Sequence, residues 1–143
     1  QTVITLPPGT YCYSSLSVQG GASLTTTGAG PVTIYLTGAL VARGNSTVGY
    51  PTDPRQMVFL MGSSGAATLE EGTMTGTTGF YGGLYAPNAT INISGNAEVF
   101  GSIVAKTVNV TGSAAVHYDE AMTDVTNVSN VYQRTLLSWR DLN

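Results

Sequence analysis

The amino-acid sequence predicts an all-β protein built as a single-stranded, right-handed parallel β-helix (a β-solenoid) with about 17 to 19 residues per coil and a C-terminal capping segment. Three observations predict this fold: short runs that alternate apolar and polar residues, a glycine after many of these runs, and a regular spacing between them. The composition agrees, because only 9% of the 143 residues are charged, against about 25% in an ordinary soluble domain. A long amphipathic helix would need more charge on its outer face.

The predicted strands are short runs in which Val, Ile and Leu alternate with Thr, Ser, Asn or Tyr. They include Leu16–Val18, Val32–Leu36, Ile91–Ile93 and Val108–Val110. Because side chains alternate across a strand, each run places its aliphatic residues on one face and its polar residues on the other. A glycine soon after the run, such as Gly112, permits the sharp corner that a coil requires.

The C-terminal half contains two matched pairs of segments. Ile91–Gly95 matches Val108–Gly112, and Gly82–Ala86 matches Gly101–Ala105 at a slightly longer spacing. A two-residue insertion between the two registers, near Pro87, explains the difference. One coil cannot bury its own apolar residues, but stacked coils can, so we expect Ile91 to lie against Val108.

The N-terminal half shows a similar spacing. Leu16–Gly20 matches Ile34–Gly38 about 18 residues later, and Met57–Gly62 is a further, displaced copy. We therefore expect Leu16 to lie against Ile34 in the neighbouring coil. A right-handed coil is expected, since parallel crossover connections overwhelmingly take that hand.

A single domain is predicted. Residues 1–118 form the coils, with a loop insertion at 45–56 and an irregular coil at 62–79. Residues 119–143 form a capping or flanking segment of the same domain, because an open solenoid end exposes unpaired backbone. Asp119 is the predicted N-cap of a short helical turn.

Composition excludes several classes of function. Lys106 is the only lysine, so the clustered basic residues of a nucleic-acid surface are missing. No apolar run reaches the roughly 20 residues that span a bilayer, so we expect no membrane contact by this segment. The eight carboxylates show no pair with a spacing that suggests glycoside cleavage, and no Gly-x-Ser-x-Gly motif occurs. We expect no catalytic residue, no cofactor and no enzyme activity.

Two features invite a chemical interpretation, a pair of residues near the end of the last coil and the single cysteine. His117 and Asp119 are weak candidates for a metal site, since they share one side of a strand, and a polar end to the last coil is the simpler interpretation. Cys12 lies between Tyr11 and Tyr13 and is predicted to face inward as a small hydrophobic residue. Pairing with an upstream cysteine is the alternative.

Several phrases together resemble a known family. They are Leu6–Tyr11, Val32–Gly38, Gly82–Ala89, Val99–Lys106, His117–Glu120 and Ser138–Arg140. In this order they resemble the C-terminal domain of bacterial type IV pilus assembly (PilX-like) proteins and related surface proteins. The resemblance implies an extracellular β-helical module on the bacterial cell surface, downstream of a membrane-anchoring helix, and it brings no catalytic residues.

We therefore expect a non-enzymatic structural or adhesive module, associated with a pilus or the cell surface, whose partners are other pilus or surface proteins or a surface glycan. A carbohydrate-binding or carbohydrate-active β-helix is the first alternative, and a self-assembling extracellular filament subunit, associating through its solenoid ends, is the second. Tyrosine is favoured at interfaces, and the loop 45–56 carries charge. The predicted contact residues are Tyr35, Tyr50, Asp53, Arg55, Tyr81 and Tyr85.

Overall fold

The computed structural model describes residues 1–62, 67–70 and 78–124. In these residues, twelve strands form one sheet in which all the strand pairings are parallel. The strands are β1 (Val3–Leu6), β2 (Gly9–Tyr13), β3 (Leu16–Val18), β4 (Ser23–Thr26), β5 (Val32–Leu36), β6 (Leu40–Ala42), β7 (Thr47–Gly49), β8 (Met57–Met61), β9 (Ala67–Glu70), β10 (Gly79–Ser94), β11 (Glu98–Val110) and β12 (Ala115–Tyr118). Short 3-10 turns lie at Pro54–Gln56 and Glu120–Asp124.

The strands stack on three faces of a β-solenoid, which confirms the predicted fold class. The first face stacks β1, β4, β7, the start of β10, the start of β11, and β12. The second stacks β2, β5, β8 and the middle parts of β10 and β11. The third stacks β3, β6, β9 and the ends of β10 and β11.

The register of the C-terminal coils is the predicted one. Ile91 pairs with Val108, and the register shifts between Ala86 and Thr90, where the sequence indicated a two-residue insertion. Before this shift, Gly82 pairs with Gly101, at the longer of the two spacings that the sequence shows. The matched segments of the sequence are therefore neighbouring coils.

The predicted register of the N-terminal coils is wrong. Leu16 pairs with Leu40, and Ile34 pairs with Tyr11, so Leu16 and Ile34 lie on different faces of the solenoid. In each of these pairs, the two partners are further apart in the chain than the predicted spacing of about 18 residues. The predicted spacing holds only for the last coils, because the corners of the earlier coils are longer.

Three predicted segments differ from, or extend beyond, the described structure. Within 45–56, predicted as a loop, residues Thr47–Gly49 form β7 and residues Pro54–Gln56 form a 3-10 turn; Val48 is fully buried, which explains why the strand belongs to the coil. Most of the irregular coil predicted at 62–79 lies outside the described residues. The predicted cap at 119–143 is described only as far as residue 124. Within it, Asp119 accepts a hydrogen bond from the Ala121 amide at 2.9 Å, as expected of the predicted N-cap.

The core consists of aliphatic columns that run along the solenoid. One column on the first face contains Ile4, Leu24, Val48, Phe80, Val99 and Val116, each paired with the next. The four inner members are at most 3% exposed. Because these columns are continuous, burial in each coil depends on its neighbours.

Cys12 faces outward, whereas the sequence predicted that it faces inward. Tyr11 packs against the core, whereas the Cys12 side chain is exposed and its thiol is free. Tyr11 pairs with the fully buried Ile34, so its ring belongs to an inward column, and its neighbour must point outward.

Candidate binding groove

An aromatic ladder runs along the outer side of the first face. Tyr81 pairs with Phe100, which pairs with His117 in the next strand. The Tyr81 and Phe100 ring centroids are 5.1 Å apart and their planes differ by 4°. The Phe100 and His117 rings lie 4.5 Å apart with a 10° angle. The parallel register places each ring over the next, because paired strands lie about 4.8 Å apart.

The ladder forms one wall of an open groove of about 410 Å³. The segment before β8 forms the opposite wall with Pro51, Thr52 and Pro54, and the chain after β12 closes the end of the groove. The residues at that end are Tyr118, Asp119 and Glu120. The volume lies in the range of small-ligand sites, and the lining combines ring surface with two carboxylates.

Asp53 fixes the wall opposite the ladder. Its Oδ1 accepts hydrogen bonds from the Arg55 amide at 3.1 Å and from Arg55 Nε at 2.8 Å. Its Oδ2 accepts from Arg55 Nη2 at 3.1 Å and from Gln56 Nε2 at 3.2 Å. The hydrogen bond from the Arg55 side chain is the main reason that the pKa of Asp53 lies below its ordinary value of 3.8.

These bonds assign Asp53 and Arg55 a structural role. Both were predicted as contact residues in the loop insertion at 45–56. The structure places them in the turn that supports Pro54, which is buried and lines the groove. Their charged groups satisfy each other across this turn, so they shape the groove wall.

His117 and Asp119 line the same groove, and so does Glu120. The alternation of a strand does not apply to Glu120, because β12 ends at Tyr118 and the 3-10 turn begins at Glu120. One face of the His117 ring lies on Phe100, and Asp119 Oδ1 holds the Ala121 amide. Within residues 1–62, 67–70 and 78–124, no group of three His, Cys, Asp or Glu side chains has the arrangement of a metal site.

The four predicted tyrosines separate into two locations. Tyr81 lies in the ladder, and the Tyr50 amide donates to the Tyr81 carbonyl at 3.3 Å just before the groove wall begins. Tyr35 and Tyr85 lie on the second face, in an outward column in which Leu60 separates them. The sequence therefore placed contact residues on two surfaces, of which only the first has the aromatic groove.

Tyr85 also borders a smaller pocket on the second face. This pocket of about 200 Å³ is lined by apolar residues, among them Val58, Leu84, Val104 and Met122. Met122 comes from the last 3-10 turn and is 8% exposed. The end of the Met122 side chain lies against Gly83, where its Cε is 3.0 Å from the position that a Cβ would take. The turn after β12 therefore packs across the second face as well as closing the groove.

Sequence reasoning missed Phe100 and the proline wall. The signal for Phe100 was present, since Tyr81 and Phe100 each precede the glycine that opens a matched repeat, Gly82 and Gly101. The signal for Pro51 and Pro54 was absent, because their position depends on how the corner before β8 folds back over the first face.

The groove residues lie inside a segment that matches a protein family. Residues 13–125 match the family described as a domain of unknown function, DUF7305. The chain belongs to this family. No curated protein and no solved structure matches the chain.

The DUF7305 match spans β3 to β12 and every residue of the groove, and it leaves out β1 and all of β2 except Tyr13. The aromatic ladder and its proline wall therefore belong to the family domain. In the described part of the chain, no helix is long and apolar enough to cross a membrane.

Proposed function

We propose that this chain is a non-enzymatic binding module of the bacterial cell surface, associated with pili, and that the aromatic groove is its contact site. The observation that carries the proposal is the groove itself, formed by the ladder of Tyr81, Phe100 and His117 opposite Pro51 and Pro54. The resemblance to the pilus assembly (PilX-like) proteins supports the location and the class of partner, namely other pilus or surface proteins or a surface glycan.

The geometry suits binding because the groove is built in advance. The ladder rings are fixed by strand register, and the opposite wall is fixed by the four bonds of Asp53. A preformed site loses little conformational entropy when a partner binds. Aromatic rings give a large contact area with few rotatable bonds, as at many protein interfaces.

A specific observation favours a glycan as the partner. The His117 ring has one face on Phe100 and belongs to β12, the last strand described on this face, so its other face is available to a planar apolar surface such as one side of a pyranose ring. The exposed Glu120 carboxylate, at the end of the same groove, accepts hydrogen bonds from hydroxyl groups. Glycan hydrolysis would require a second placed carboxylate, and one oxygen of Asp119 already holds the Ala121 amide.

The binding test uses the full chain on a panel of immobilised mucin, cellulose and chitin, and on isolated pili. We expect binding to at least one surface, and we expect His117→Ala or Tyr118→Ser to reduce it at least tenfold. Tyr35→Ala is the matched control, since Tyr35 lies on the second face, and it should leave binding unchanged. Equal loss in all three variants, or binding unaffected by the groove variants, contradicts the groove as the contact site.

The proposed location has a separate test. An antibody against the chain should label intact cells of the source organism, and the protein should appear in the pilus fraction sheared from them. Labelling that requires cell lysis contradicts the proposed surface location. Release of reducing sugar from any polysaccharide on the panel contradicts the non-enzymatic assignment and favours a carbohydrate-active protein.

A further inference from the structure

The aromatic groove carries charge of one sign only. Asp119 and Glu120 both line it, and among the described residues no lysine or arginine does. Neither carboxylate forms an ion pair with a described residue, whereas the nearby Asp53 is paired with Arg55. The groove therefore presents two negative charges that no described cation in its lining balances, and negative charge on a partner would oppose binding.

Both carboxylates keep free acceptor positions. Asp119 Oδ1 accepts the Ala121 amide at 2.9 Å, and its second oxygen remains available, because an ionised carboxylate accepts through both oxygens. The Glu120 side chain is exposed and has no hydrogen bond to a described residue. Hydroxyl groups can fill such positions, but an ammonium group fills them with charge-assisted hydrogen bonds, which are about twice as strong as neutral ones.

The carboxylates lie close to the free ring face at the end of the ladder. Glu120 is three residues after His117, so their Cα atoms are at most about 11 Å apart. A short oligosaccharide with one sugar ring on His117 can therefore reach Glu120 with the substituents of the same ring or of the next. Tyr118, which is exposed and lines the same end of the groove, adds apolar surface beside them.

An amino sugar meets both features of this end of the groove with one rigid unit. It carries its ammonium group directly on the pyranose ring, so the charge and the planar apolar face are held together. A lysine side chain of a peptide offers a similar charge, but on a long flexible stem that must be ordered on binding. A neutral sugar offers the ring face without the charge.

We propose that the groove binds a glycan whose sugars carry free amino groups, such as a glucosamine polymer without acetyl groups. Its ammonium groups bond to Glu120 and Asp119, and one ring face rests on His117. The inference rests on the proposed function, because it names the partner of the same groove. It adds the sign of the charge on that partner, which the ring ladder alone leaves open.

The test measures binding of the full chain to two soluble oligosaccharides of equal length, one of glucosamine and one of N-acetylglucosamine. Isothermal titration calorimetry is carried out at a pH where both the carboxylates and the sugar amines are charged. We expect the affinity for the glucosamine oligomer to be higher by about fivefold or more, as one or more exposed charge pairs would give. This preference should shrink as salt is added, because exposed charges are screened.

Two charge variants and one ring variant locate the source of the preference. Glu120→Gln keeps the shape of the side chain and should reduce the ratio of the two affinities to about twofold or less. Glu98→Gln is the matched control, since Glu98 is exposed in β11 and does not line the groove. It makes the same change in net charge and should keep the wild-type ratio. His117→Ala should weaken the binding of both oligomers, because it removes the ring and leaves the carboxylates.

The outcomes separate this inference from the proposed function. Equal or tighter binding of the acetylated oligomer contradicts an amino-sugar partner, and a loss of that binding in His117→Ala would keep the groove as a glycan site. An equal loss of preference in Glu120→Gln and Glu98→Gln also contradicts the inference, since net charge alone would then set the ratio. Tighter binding of an oligolysine of equal charge contradicts it in favour of a basic protein partner. If neither oligosaccharide binds, the inference is overturned, and the panel of surfaces described above decides separately whether the groove is a contact site.

Discussion

Gly49 and Gly101 occupy positions that no residue with a side chain can take. Their φ angles are +107° and +140°, in the region that glycine favours. A Cβ at Gly49 would overlap the Tyr81 carbonyl oxygen, and one at Gly101 would overlap the Gly82 carbonyl oxygen. Both glycines lie beside the aromatic ladder, where neighbouring coils approach closely, so the position of the ladder depends on them.

We expect Gly49→Ala to lower the free energy of unfolding by more than about 1 kcal/mol, because both the backbone angle and the contact are incompatible with a Cβ. Gly62→Ala is the control, since Gly62 has no atom within 4 Å of the added Cβ and no positive φ. It should change stability by at most about 0.5 kcal/mol. Urea unfolding followed by circular dichroism measures both, and equal effects would contradict this account of Gly49.

The Asp53 carboxylate makes a pH-dependent contribution to stability. The Arg55 bond lowers the pKa of Asp53 below 3.8, so the folded state favours the ionised form. The stabilisation is therefore complete above the pKa of the unfolded chain and is lost as the pH falls through the lower pKa of the folded state. Asp53 and Arg55 are partly exposed, with 24% and 43% of their side-chain surface accessible, which limits the size of the effect.

We expect Asp53→Asn to reduce the free energy of unfolding by about 0.5 kcal/mol at neutral pH. Asparagine still caps the turn, so this variant isolates the charge. The difference between wild type and variant should shrink as the pH falls below 3.8. Urea unfolding at several pH values gives the comparison. A difference that grows on acidification would show that the carboxylate does not stabilise the fold through Arg55.

The aromatic ladder is the element that the sequence only partly indicated. The C-terminal repeat places Tyr81 one residue before Gly82 and Phe100 one residue before Gly101, which is enough to align the two rings once a solenoid is assumed. Local sequence could not show that Pro51 and Pro54 face them, because that contact joins residues far apart in the chain.

The ladder should stabilise the protein less than the core beside it. Phe100 is half-buried, whereas Phe80 is fully buried. The Phe80 ring packs against that of Phe59, with the two ring centroids 5.3 Å apart. We expect Phe100→Ala to cost about 1 to 2 kcal/mol and Phe80→Ala about 3 to 5 kcal/mol. Denaturant unfolding of both variants tests the order. A larger cost at Phe100 would mean that the ladder, and not the aliphatic columns, is the main packing contact at this point.

At the scale of the whole molecule, the sequence predicted the solenoid and the register of its last coils but not that of its first. The triplets Leu16–Val18 and Ile34–Leu36 have the same apolar pattern and are followed by a glycine at the same distance. Such a triplet does not say which of three faces it occupies. The true neighbour of Leu16–Gly20 is Leu40–Gly44, which has the same spacing of apolar residues and glycine. Two spacings therefore compete in this half of the sequence, and only the length of the corners decides between them.

The stacking of coils accounts for the unusual composition. Outward positions form rows of small polar residues, such as Asn92 and Asn109, whose side chains hydrogen-bond at 2.9 Å between coils. Rows of this kind satisfy their polar groups with few charges. The low charge of the chain therefore follows from the fold.

The most direct test of this account is the register of the N-terminal coils, measured with paired cysteines in a Cys12→Ser background. Neighbouring parallel strands are about 4.8 Å apart, which suits a disulfide, and Ser17 pairs with Val41 on the outer side of the third face. We expect Ser17→Cys/Val41→Cys to form a disulfide on mild oxidation, detected by mass spectrometry of the digested protein. Ser17→Cys/Tyr35→Cys, which follows the repeat spacing of the sequence, should remain reduced. A disulfide in the second variant and none in the first would contradict the three-faced stack.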